Sequence, residues 1–88
     1  MKYTVIWLTA AEDELTRIWL AAVNRRSVAD AAARIEAELL NDPENAGESR
    51  AHGRRILIAA PLAVIFRVFP DERIVFVTNV REFGSRAK

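Results

Sequence analysis

Four arginines interrupt the most hydrophobic part of this chain. Arg54 and Arg55 open the run "RRILIA", Arg67 sits inside "LAVIFRVF", and Arg81 follows "RIVFVTNV". A guanidinium stays protonated, so these side chains are poor proton donors or acceptors in catalysis. They suit bidentate contact with a phosphate or carboxylate, and they stabilise negative charge that develops there. On a strand, residues two apart share a face. Arg67 is therefore expected beside Ala63, Ile65 and Phe69, Arg81 beside Val75, Val77 and Asn79, and Arg55 beside Leu57. Arg54, Arg55, Arg73 and Arg81 also admit a plainer account, because charges at strand ends are commonly just solvated. Arg67 does not. Between Phe66 and Val68 a charge needs an acidic partner or a wet cleft.

Other chemistry is sparse. There is one histidine, His52, in a glycine-flanked polar stretch that reads as a solvated loop, and there is no cysteine. No metal site and no cofactor are expected from such a set. Trp7 and Trp19 read as core residues. The net charge of +1 conceals an asymmetry: residues 1–48 hold five Lys/Arg and nine Asp/Glu, net −4, and residues 49–88 hold eight and three, net +5. Eleven of the thirteen basic residues are Arg. Codon bias accounts for Arg over Lys but not for the separation of acids from bases. The opening stretch lacks a secretory leader pattern, and "ILIAAPLAVIF" is too short to span a bilayer. A cytoplasmic protein with no membrane partner is expected.

The periodicities define the elements that must position these residues. "KYTVIWL", Lys2–Leu8, alternates and is rich in β-branched and aromatic residues, so it predicts a strand. A helix follows, with Thr9 as N-cap, Glu12 completing a capping box, and an end near Asn24. Its stripe is Leu15, Ile18, Trp19 and Ala22. A second helix is expected from a Ser27 cap to about Asn41, ahead of Pro43, with Ala31, Ile35 and Leu39 on its apolar face. "ENAGESRAHG" reads as a loop. Arg54–Ala59, Leu62–Phe69 and Arg73–Val80 read as strands joined by hairpin-length links. The tail "REFGSRAK" is basic and expected to fray. The order is a single α+β domain over residues 1–88, β-α-α-β-β-β, with a helical hairpin packed on a small, largely antiparallel sheet. The second sheet face, expected to include Ile65, Phe69, Val75 and Val77, needs a cover.

This order resembles the RelE/ParE superfamily of toxins from type II toxin–antitoxin systems, the plasmid stabilisation protein family. The matching stretches are "YTVIWLTAAEDELTRIW", "LLNDPENAGESR", "GRRILI", "LAVIFRV" and "IVFVTNVREF". The resemblance implies a cognate antitoxin that covers the exposed sheet face and binds operator DNA through its own second domain. It implies one of two targets: ribosome-bound mRNA, cleaved in the RelE manner, or DNA gyrase, poisoned in the ParE manner. In RelE-like members, basic residues at the start of the second strand, within the third and at the end of the fourth converge on one concave face. Arg54, Arg55, Arg67 and Arg81 stand at those places here and form the expected catalytic set. The His or Tyr that some members carry near the end of the last strand is missing, since Glu82 and Phe83 stand there. The leading expectation is translation inhibition by an mRNA interferase, an endoribonuclease that inhibits growth. A gyrase inhibitor and a decayed, antitoxin-binding repressor module are the alternatives. Glu48, Ser49 and Arg50 match a subset of the family and read as a structural loop.

Overall fold

The computed structural model describes residues 2–83. Five strands form one sheet in the order β1-β5-β4-β3-β2. They are β1 (Thr4–Trp7), β2 (Glu48–Ser49), β3 (Arg55–Ala59), β4 (Leu62–Phe69) and β5 (Ile74–Glu82), with helices α1 (Thr9–Ala21) and α2 (Arg25–Asn41) between β1 and β2. β1 runs parallel to β5 and every other pairing is antiparallel. The expected helical hairpin on a largely antiparallel α+β sheet is what the chain forms. β2 is an addition, two residues long, inside the stretch that reads as loop. The expected frayed tail concerns residues 84–88 and lies outside the described residues.

One sheet face is the core. Leu62, Val64 and Phe66 of β4 lie beside Val75, Val77 and Val80 of β5, all buried. Ala11 and Ile18 of α1 and Val28, Ala31, Ile35 and Leu39 of α2 cover them. Removing this much apolar surface from water is the main stabilising term available to an 88-residue chain. Among the described residues, the other face carries no helix. Its side chains include Ile6, Ile56, Ile58, Ile65, Phe69 and Phe76, and Ile6, Ile58 and Phe69 are 37%, 45% and 41% exposed. Val75 and Val77, expected on this open face, are instead fully buried under the helices.

The reason is a β-bulge. Phe66 pairs with Val77 but Ile65 pairs with Asn79, which leaves Thr78 as the extra residue. The Thr78 hydroxyl donates to the Ile65 carbonyl at 3.2 Å and so satisfies an acceptor the bulge would strand. Strict alternation fails at this point. Val75, Val77 and Val80 share the core face, whereas Asn79 and Arg81 emerge on the open one.

The helix starts also differ from the expected ones. Leu8, not Thr9, precedes α1, and no side chain caps it. The Leu8 amide donates to Val77 O at 3.0 Å, so strand pairing holds Leu8 extended until the helix begins. Asn24, not Ser27, caps α2: its Oδ1 accepts from the Ser27 amide at 3.1 Å. Trp19, expected in the core, is 38% exposed. The Arg25 guanidinium stacks 4.7 Å from its ring centroid and donates to the Trp19 and Leu20 carbonyls. Arg25 thereby covers the indole and satisfies the end of α1 together.

Candidate functional site

The four arginines do not meet at one point. Arg55 shares its face with Leu57, as alternation requires, and that face is the helix-covered one. Its Nε donates to Ala46 O at 2.9 Å and its Nη2 to Gly47 O at 3.4 Å. Both acceptors belong to the loop that leads into β2, so Arg55 is a clamp on that loop. Ala46 is buried, which makes its carbonyl costly to leave unpaired. Arg55→Ala should lower stability by about 1–3 kcal/mol, read as a lower denaturant midpoint at unchanged slope. A wild-type midpoint would show that the clamp carries no load.

Arg67 is on the open face with Ile65 and Phe69, half-buried, and directly opposite Phe76 on β5. Phe69 and Phe76 meet edge to face, with centroids 5.6 Å apart at 81°. No carboxylate pairs with Arg67 among the described residues. An aromatic and aliphatic surround without a counter-ion is a poor solvent for a cation, and an incoming anion would relieve it.

The Arg67 guanidinium reaches toward the β2–β3 hairpin. A Cβ built on Gly53 would lie 3.3 Å from Arg67 Nη1. The hairpin is tight. His52 and Gly53 both have left-handed backbone, φ 64° and 75°, and Arg54 N donates to Ala51 O at 3.4 Å. Two left-handed central residues make Ala51–Arg54 a type I′-like turn, set in a three-residue loop because Arg50 N bonds Arg54 O and Ser49 pairs with Arg55. Arg54 is exposed, with its Nε on Ala51 O at 3.2 Å. On the arm that enters this turn Arg50 pairs with Glu48 at 2.8 Å. Glu48, Ser49 and Arg50 are therefore one arm of this hairpin. Where a structural loop is expected, the backbones of Glu48 and Ser49 pair with Ile56 and Arg55 as the short strand β2.

Arg81 is also on the open face, but beside Ala63, four residues along β4 from Arg67. That separation is about 13 Å at the rise of a strand. Arg81 lines an open groove between α1 and the end of β5, with Asp13, Arg17, Thr78 and Asn79. Arg17 is held there by Glu14. Arg67 and Arg81 thus suit two separate anionic groups rather than a single one. Arg73 takes no part: it turns the β4–β5 connection at φ 59° and lies over the Tyr3 ring at 5.5 Å.

The residue that sequence reading passed over is His52. Its place is a hairpin turn tight against Arg67, not a free loop. The signal was available: three residues, Ala51-His52-Gly53, lie between "ESR" and "RRI" and end in Gly, which fits a short hairpin loop, and histidine tolerates left-handed backbone better than most residues.

No protein-family model matches the chain, and no curated protein matches it by sequence. Solved structures do match in fold. The RelBE2 toxin–antitoxin complex of Mycobacterium tuberculosis superposes with a TM-score of 0.78 at 18% identity, over 97% of this chain and 95% of that one. The chromosomal ParDE toxin–antitoxin system of P. aeruginosa gives 0.73 at 18%, over 92% and 96%. A free E. coli RelE toxin carrying two arginine-to-alanine substitutions gives 0.71 at 16%, over 93% and 84%. The fold is that of the RelE/ParE toxins.

Proposed function

We propose that this chain is the toxin of a type II toxin–antitoxin pair and that it inhibits translation by cleaving mRNA on the ribosome. The observation that carries the reading is Arg67: a half-buried guanidinium on the helix-free sheet face, without a carboxylate partner among the described residues. Cleavage by a 2′-hydroxyl builds charge on the phosphate it attacks. A fixed donor there stabilises the transition state more than the ground state. Arg67, with Arg54 beside it, takes the reacting phosphate. Arg81 holds a second phosphate of the same strand, and Arg55 acts indirectly by keeping the hairpin in place.

The same face carries exposed Ile6, Ile58 and Phe69, an apolar surface that a partner would cover. The proposed cover is the cognate antitoxin, and two of the fold neighbours are structures of such pairs. Operator DNA enters only through that antitoxin. The described residues contain no helix long and apolar enough to cross a membrane, and the site of action is proposed to be the cytoplasm.

The experiment is induction of this chain alone, with 5′-end mapping of cellular transcripts soon afterwards. New ends inside translated codons, absent from untranslated transcripts, are the expected result. Growth arrest with intact transcripts and DNA damage would instead assign the ParE-like action on gyrase. Normal growth would assign an inactive, antitoxin-binding module.

A further inference from the structure

We infer that His52 is the residue that moves the proton when the RNA is cut, taking it from the attacking 2′-hydroxyl. This rests on the cleavage reading above and supplies what the arginines cannot. A guanidinium remains protonated through the reaction, so charge stabilisation by Arg67 leaves the 2′-hydroxyl without a base. Among the described residues, the charged side chains of the open face in β3, β4 and β5 are Arg67 and Arg81, and β2 adds Glu48, opposite Ile56, whose carboxylate is held by Arg50 at 2.8 Å. The Tyr3 phenol lies on the helix side and donates to Glu44 at 3.2 Å. Glu82 pairs with Leu62 at the far end of the sheet, about seven strand residues from the Phe69 end where Arg67 turns. Neither can reach a phosphate held by Arg67.

His52 can. It is exposed, and the next residue, Gly53, is the backbone against which Arg67 Nη1 lies. Its position is set by a type I′-like turn with paired strand residues on both sides, Ser49 opposite Arg55, and by the 2.7 Å bond from Arg50 N to Arg54 O. A rigid turn is a better platform for a catalytic group than a free loop. Imidazole is also the side chain whose ordinary titration range suits proton transfer near neutrality. The charged neighbours are Arg50 and Arg54 on its own hairpin and Arg67 from β4. The nearest carboxylate along the chain, Glu48, is engaged by Arg50.

The step balances as follows. His52 accepts the 2′-hydroxyl proton as the O2′–P bond forms and the P–O5′ bond breaks. The leaving 5′-oxygen takes a proton from the imidazolium or from water. The products are a 2′,3′-cyclic phosphate and a 5′-hydroxyl, with no redox change.

The variants that test this keep the turn. Asparagine and glycine are the residues most at home at a left-handed hairpin position, so His52→Asn and His52→Gly preserve the backbone and remove the imidazole. Single-turnover cleavage of mRNA on programmed ribosomes is measured against pH for the full chain and both variants. Melting temperature is measured alongside. The expected result is a loss of about 10²-fold or more in both variants at wild-type melting temperature. The acidic limb of the wild-type pH profile should vanish with it, a change that a purely structural role would not produce. Partial rescue of His52→Gly by added imidazole is the matching positive result. If either variant cleaves at the wild-type rate with the wild-type pH profile, the inference is overturned while the cleavage reading stands. If the wild-type chain does not cleave at all, both fall.

Discussion

Arg67→Ala is expected to abolish growth inhibition on induction and to reduce ribosome-dependent cleavage by about 10²–10³-fold, the usual cost of deleting one fixed donor to a developing charge. The protein should stay folded. Arg67 has no carboxylate partner among the described residues and sits in an apolar surround. Removing it therefore leaves no buried acid behind, and the melting temperature should hold or rise slightly. This separates a functional arginine from a structural one, for which activity and stability fall together. Arg67→Lys keeps the charge but loses the planar fork, so it should recover only part of the activity. An Arg67→Ala protein that is folded and still toxic would remove Arg67 from the site and with it the main support for an RNA phosphate there.

Gly47→Ala should be among the most destabilising single substitutions in the chain. Gly47 has φ +63°, and a Cβ there would stand 2.0 Å from Ile56 O and 2.8 Å from Ile56 C. Both atoms are backbone of β3, and no rotamer change relieves the overlap. The left-handed conformation alone costs a non-glycine residue about 1 kcal/mol. Displacing β3 or the loop also strips Arg55 of the carbonyls of Ala46 and Gly47 and breaks the short pairing of β2 with β3. The combined loss should be about 3 kcal/mol or more, on the scale of the severe substitutions. For a domain this small that lowers the melting temperature by more than about 10 °C. Calorimetry or circular dichroism reads it directly. Cleavage should fail as well, because the hairpin that carries His52 and receives Arg67 loses its anchor. A wild-type melting temperature would mean that the loop does not pass this close to β3.

Much of this architecture is legible from residue patterns alone, and the exceptions have identifiable causes. β4 runs from Leu62 to Phe69, the bounds its apolar run predicts, because it is central and packed on both sides by other strands. The apolar face of α2 follows its 3.6-residue stripe for the same reason, burial without interruption. The failures occur where a single contact overrides a periodic rule. A bulge at Thr78 reverses the facing of everything after it, so Arg81 parts company with Val75 and Val77. Periodicity carries no notice of a bulge. Thr9 and Glu12 have the spacing of a capping box, yet the Leu8–Val77 bond ties the helix entry to the sheet and leaves Leu8 at the cap. β2 is two residues long, below the length at which alternation can be read. At the site, residue type pointed to all four arginines, but only topology separates them. Arg67 turns to the hairpin, Arg81 to the α1 groove, and Arg55 to the far face.

The central claim is cleavage of ribosome-bound RNA by this chain, and a purified reaction tests it most directly. The full chain, released from its antitoxin, is added to ribosomes programmed with a defined mRNA, and the RNA products are mapped. The account predicts cuts only in ribosome-bound RNA, leaving a 2′,3′-cyclic phosphate upstream and a 5′-hydroxyl downstream. Intact mRNA in the presence of a folded protein that blocks gyrase supercoiling in a parallel reaction would contradict it.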